Sequence, residues 1–151
     1  MENAITDLLD ALIPNLEKLV GNIRSWMGVA MLIGPVIFIV MGLVYYFLAP
    51  PEANHKLGYR TYFGMGSVQA WRFTQRLSGI VLGALGLILT GVMLVVSMGF
   101  GAMDVMDMVW LALKCLGIEA VLALVANLAI MIAAMIRFDR RGEIRKKNKK
   151  K

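Results

Sequence analysis

Hydrophobic positions run through this chain in long uninterrupted blocks, not in the short alternations or narrow stripes of soluble elements. Three blocks stand out, at residues 27–49, 77–100 and 109–136. Each meets the roughly 20 residues a helix needs to cross a hydrocarbon core about 30 Å thick. The first two contain no Asp, Glu, Lys or Arg. A core helix of a soluble protein of that length would carry a polar stripe, so the pattern predicts three membrane-spanning helices.

Ahead of the first block the pattern changes. Ile5, Leu8, Leu9, Leu12, Ile13, Leu16, Leu19, Val20 and Ile23 recur at spacings of three and four, while Asp7, Asp10, Glu17 and Lys18 occupy the rest of the circumference. That is an amphipathic helix, too polar to span, which Pro14 is expected to kink or divide. It is predicted to lie along the membrane interface or, because it is net acidic, to dock on the bundle or a partner. Glu2, Asp7 and Asp10 stand where a cleavable signal peptide would have a basic region, so the first span is expected to serve as the insertion signal.

Within the first block, Gly34-Pro35 weakens the helical hydrogen-bond ladder and invites a kink. Tyr45-Tyr46-Phe47 before Pro50-Pro51 marks a water interface. A polar connection follows, with Glu52, Asn54, His55, Lys56 and Arg60, and helix is predicted to resume at Ser67 as N-cap and to run unbroken into the second span. Gly79, Gly83, Gly86 and Thr90 fall at offsets of four, three and four, a smooth face for close helix approach or a groove for a lipid or peptide. The third span is expected to begin near Trp110, after Asp104 and Asp107.

At 151 residues, 59% of them hydrophobic, the chain makes one membrane domain. Its formal charge of +6 is a tail and not a patch, since nine of the sixteen Lys and Arg residues lie at or after Arg137. Such a tail suits anionic lipid headgroups and argues against specific nucleic-acid binding. Basic residues are retained in the cytoplasm, which places the tail and the 50–76 connection inside and the N-terminus outside. The expected location is the cell membrane. The lone Cys115 excludes an intrachain disulfide.

Little in the sequence is catalytic. The one histidine, His55, has no second ligand at metal spacing, and no phosphate-binding loop or nucleophile beside a base is visible. No cofactor, metal or enzymatic activity is expected. Ionisable groups inside a bilayer cost about 2.5–3.5 kcal/mol, so Lys114, Glu119 and, as a polar residue beside them, Asn127 in the third block need an account. Counting back about 20 residues from Arg137 puts Lys114 at the outer interface, where it can snorkel, and Glu119 just inside it. Lys114 and Glu119 are about 140° apart round the helix, too far for an ideal pair, whereas Glu119 and Asn127 share a face with Ala123 and Ala126. Glu119 is then either a satisfied polar contact or a proton or ligand site.

The connection and the start of span two read Asn54, Gly58-Tyr59-Arg60-Thr61, Met65, Trp71, Gln75-Arg76 and Ser78-Gly79. This resembles the SdpI family of bacterial membrane proteins, in which a Gly-Tyr/Phe-Arg-Thr block, a tryptophan and an Asn-Arg-x-x-Gly-like run lie between two spans. The resemblance covers residues 40–100. Tyr62 stands where the family often has proline, Gln75 where it often has asparagine, and residues 66–69 replace Glu-rich positions. The resemblance implies a non-enzymatic protein that confers immunity to a membrane-active peptide toxin, or relays the toxin's presence to a cytoplasmic regulator. It implies that Asn54, Gly58, Tyr59, Arg60, Thr61, Trp71, Gln75, Arg76 and Gly79 form a ligand or partner site, to which Glu119 and Asn127 are added from the third span; read from the residues alone, the block is equally a structural latch, with Arg60 and Arg76 bonded to carbonyls or lipid phosphates, Tyr59 and Trp71 seated at the interface and Gly79 permitting a tight crossing. An ion-coupled transporter, suggested by Glu119 and Gly34-Pro35, and an accessory subunit of a larger complex are the alternatives.

The chain is therefore read as an all-α integral membrane three-helix bundle. Residues 1–24 are the amphipathic helix, 25–137 the three-span domain and 138–151 a basic cytoplasmic tail. Its expected partners are the lipid bilayer, a peptide toxin, a cytoplasmic regulator or membrane protein, and a second copy packing through the span-two glycines.

Overall fold

The computed structural model describes residues 2–53 and 57–145, the side chains of 2–12 excepted. Three long helices, α1 (Glu2–Leu43), α2 (Val68–Met98) and α3 (Val105–Arg137), run up, down and up as an all-α bundle. The stretches Ile13–Leu48, Val68–Ala102 and Val105–Arg137 are each long and apolar enough to span a membrane. Their outward side chains, among them Val40, Ile80, Leu87, Val95, Leu124 and Ile136, are exposed, which suits hydrocarbon and not water as the surrounding solvent.

Residues 1–24 are not set off as an element of their own. α1 continues without a break from Glu2 through Pro14 and Pro35 and widens into a π-helical turn over Val44–Leu48. It stops at Ala49, which is extended (φ −63°, ψ 133°), because the residue before a proline is disfavoured in the helical region. A hydrogen bond of 2.8 Å from Arg24 Nη2 to the Met103 carbonyl holds α1 against the α2–α3 turn. From Arg24 to Leu48 is about 36 Å of helix, so the part of α1 before Arg24 projects beyond the bundle. There Ile13, Leu16, Leu19 and Ile23 are exposed on one stripe. The expected periodicity is present over these residues, but on the extension of a span.

α2 starts where expected. The Ser67 side chain accepts the Ala70 amide at 3.1 Å, satisfying one of the orphan donors of the first turn. Its small residues meet α1. A Cβ on Gly79 would lie 2.8 Å from Tyr46 Cβ and 2.9 Å from the Gly42 carbonyl, one on Gly42 would lie 2.6 Å from Gly83 Cα, and one on Gly86 would lie 2.7 Å from the Pro35 carbonyl. The two backbones touch because side chains are missing on both sides. α1 of the same chain thus takes up part of the face through which a second copy is expected to pack, burying Gly79 and Gly86 and leaving Gly83 and Thr90 half-buried. Toward the Arg24 end, Met31, Leu89, Met93, Phe100, Met108 and Ala112 form the apolar core.

The first part of the basic tail is folded against the bundle. Residues 138–145 turn back, with an antiparallel bridge between Phe138 and Ile144. Asp139 Oδ1 accepts the amides of Arg141 and Glu143 at 2.9 and 2.8 Å, and Gly142 makes the turn at φ +75°. The hairpin docks on the start of α2: Ser67 Oγ donates to the Gly142 carbonyl at 2.6 Å, Phe138 packs against Phe73 at 5.5 Å, and the Arg137 guanidinium lies 4.5 Å over the same ring. Residues 146–151 of the expected basic tail lie outside the described residues.

Gly79→Leu is expected to destabilise the bundle by about 1–3 kcal/mol through overpacking. Gly91→Leu should be nearly neutral, since no atom lies within 4 Å of a Cβ at that glycine. Reversible unfolding in mixed micelles measures both.

Candidate functional site

From Ala49 to Ser67 the described residues form no regular helix or strand, and those among them that are buried need partners within the protein for their backbone groups. Gly58 adopts φ +127°, a conformation open to glycine and strained for other residues. Its bare Cα also rests on the Trp71 ring, where a Cβ would lie 2.5 Å from Cη2 and 2.6 Å from Cζ2. Trp71 is fully buried, and its indole N–H donates to the Pro50 carbonyl at 2.8 Å. That bond ties the exit of span one to the first turn of α2.

The turn at Gly58 delivers Tyr59 to Gln75. The Tyr59 amide donates to Gln75 Oε1 at 2.7 Å, and Gln75 Nε2 donates to the Tyr59 carbonyl at 2.7 Å. One side-chain amide thus completes both backbone groups of a loop residue, as a neighbouring β-strand would. Gln75 is 3% exposed. The Tyr59 hydroxyl continues the network to α3, donating to Asn127 Oδ1 at 2.6 Å, while Asn127 Nδ2 donates to its own helix at the Ala123 carbonyl, 2.8 Å away. Tyr45 stacks edge-on against Tyr59 at 5.8 Å. Burial, with Tyr45 adding to it, pushes the Tyr59 hydroxyl above its ordinary pKa, which keeps it a neutral donor.

Thr61 closes a tight turn, its Oγ1 accepting the Gly64 amide at 3.0 Å and its carbonyl the Met65 amide at 3.1 Å. Arg60 and Arg76 are exposed at the rim. Arg76 and Arg72 border a shallow cleft of about 200 Å³ against Tyr45, Tyr46, Pro50 and Pro51. Gly79 belongs to the α1–α2 contact and not to the loop cluster. Asn54 lies outside the described residues.

Of the two residues singled out on α3, Asn127 joins the cluster and Glu119 does not. α3 begins at Val105, so Glu119 lies near its middle, about 21 Å from the start and 27 Å from the end, deeper than counting back from Arg137 suggests. It is 5% exposed. Its carboxyl fills the space left by the missing side chain of Gly34 on α1, and its Oε2 has no hydrogen-bond partner. Lys114 is exposed on the outside of α3.

Sequence reasoning passed over two partners. The Pro50 carbonyl carries no side-chain signal, and Gly34 reads as a helix breaker when it also serves as a receptacle. Comparisons with models of protein families, with curated proteins and with solved structures give no match.

Gln75→Leu removes two hydrogen bonds and strands two backbone groups, for an expected loss of about 2–3 kcal/mol. Tyr59→Phe removes only the link to α3, at about 0.6–1 kcal/mol. Limited proteolysis of the 50–67 connection in bilayers is expected to rise sharply for the first variant and slightly for the second.

Proposed function

We propose that the chain is a non-enzymatic membrane protein of the SdpI type, which protects a bacterial cell against a membrane-active peptide or relays the peptide's presence to a cytoplasmic regulator. One observation carries this reading: four of the residues singled out with the resemblance lock together. Gly58, Tyr59, Trp71 and Gln75 form one hydrogen-bonded unit, and the unit reaches α3 through Asn127. A disturbance that shifts α3 within the bilayer would therefore pull on the loop at the bundle's end.

The orientation that serves this reading has the loop in the cytoplasm. Arg60, Arg72, Arg76, Arg137, Arg140, Arg141 and Arg145 gather at that end, against Lys18, Arg24 and Lys114 toward the other, and cytoplasmic flanks are the basic ones. The exposed apolar stripe of Ile13, Leu16, Leu19 and Ile23 on the projecting part of α1 then faces outward, where an amphipathic peptide would meet it. Ion-coupled transport is the second reading, favoured by the buried, unpartnered Glu119 carboxyl. Reconstituted vesicles whose ion flux disappears in Glu119→Gln would support it.

Expression in bacteria sensitive to membrane-active peptides tests the first reading. Protection is expected from the wild-type chain and reduced protection from Gln75→Leu at equal membrane abundance. Absence of protection by a correctly inserted wild-type chain, across a panel of such peptides, counts against it.

A further inference from the structure

Pro35 has no amide hydrogen, so the Met31 carbonyl, four residues earlier in α1, lacks its helical donor. Water commonly repairs such a gap in a soluble helix. Here Met31 is 0% exposed and packs in the core. The neighbouring residue, Gly34, has no side chain, and the place a Cβ would take is filled by the Glu119 carboxyl, with Oε1 the closest atom. A carboxyl at that place comes within reach of the carbonyls three and four residues before it, the ones to which a serine or threonine hydroxyl at residue 34 would bond back. For residue 34 these are Met31 and Ala30. In a regular helix the Ala30 carbonyl takes the Gly34 amide, which leaves that of Met31 as the acceptor without a donor.

A carboxylate offers only acceptors, and two acceptors facing each other repel. A carboxylic acid offers one O–H donor. No basic group is at hand to compensate a charge. On α1, Arg24 is ten residues from Gly34, about 15 Å along the helix, and is committed to the Met103 carbonyl. On α3, Lys114 points away and is exposed, and Asn127 is neutral. α2 carries no ionisable residue after Arg76. An ionised side chain held in this way is costly in a bilayer.

We propose that Glu119 is a proton-binding site: it holds a proton at neutral pH and donates it to the Met31 carbonyl stranded by Pro35, and this bond joins α1 to α3 at mid-bundle. The helix break supplies the acceptor, Gly34 the space and Glu119 the proton. Loss of the proton would set acceptor against acceptor and part the two helices. The inference rests on the membrane-spanning reading and is independent of the immunity reading.

Infrared spectroscopy of the full chain in lipid bilayers, at neutral pH in deuterated water, tests this directly. The other nine Asp and Glu side chains are expected to be ionised, so the wild type should show one carboxylic-acid carbonyl band that Glu119→Gln abolishes. Labelling with 13C-glutamate should shift the same band in the unmutated protein, which guards against a variant that fails to fold. Pro35→Ala returns an amide donor to Met31, and should move the band to the higher frequency of a more weakly bonded acid. A carboxylate band lost in Glu119→Gln, with no acid band in the wild type, would overturn the proposal. So would an acid band that sodium or potassium removes at fixed pH, which would mark a metal-cation site, or one that Pro35→Ala leaves unmoved.

Discussion

Two hydrogen bonds made by one side-chain amide hold the irregular part of this protein to its helices. Gln75, buried on the second turn of α2, pairs with the backbone of Tyr59 through both its oxygen and its nitrogen. Without that pairing the loop would not be fixed to the helices, and the side-chain amide of Gln75, 3% exposed, would be buried without partners. The other contacts follow from it. Gly58 must turn through a left-handed conformation to bring Tyr59 into register, Trp71 fills the space beneath the turn, and the Tyr59 hydroxyl is left aimed at Asn127. The resulting cluster joins the loop to α2 and α3, while the Trp71 bond to Pro50 closes it onto the end of span one.

The bundle solves a second problem of the same kind. Lipid gives helices little hydrophobic reason to associate, so they are held by close backbone contact and by polar groups. α1 and α2 meet through Gly42, Gly79 and Gly86. α1 and α3 meet where Glu119 enters the notch at Gly34, beside the proline that interrupts the ladder. At the far end Arg24 caps the turn by reaching the Met103 carbonyl. The break at Gly34-Pro35 and the turn after α2 are thus each met by a polar side chain from elsewhere in the chain.

Much of this was legible in the sequence, and the limits have physical causes. The three spans come from unbroken apolar length, the start of α2 from the capping chemistry of Ser67, and the packing face of α2 from its glycine spacing, because each signal is local. The partner of that face is not local: nothing in a stripe of glycines says whether α1 or a second copy will cover it. The continuity of α1 was hidden because its first part is amphipathic by pattern and holds Pro14, though an extension beyond the bundle satisfies the same pattern. The hairpin at 138–145 reads as a charged tail because its order depends on one aspartate and one glycine, Asp139 and Gly142, among three arginines. Within the site, Gly58, Tyr59, Trp71 and Gln75 were found through their motif, but their roles depend on hydrogen bonds across 16 to 68 residues of chain.

The amide of Tyr59 reports most directly on whether the loop is locked to the helices. Hydrogen–deuterium exchange of the full chain in bilayers, resolved to single residues, should find this amide strongly protected, against fast exchange at Glu52 and Ala53, and Gln75→Leu should abolish the protection. A Tyr59 amide that exchanges in the wild type as fast as its exposed neighbours would contradict the central claim that the loop, α2 and α3 form one hydrogen-bonded unit.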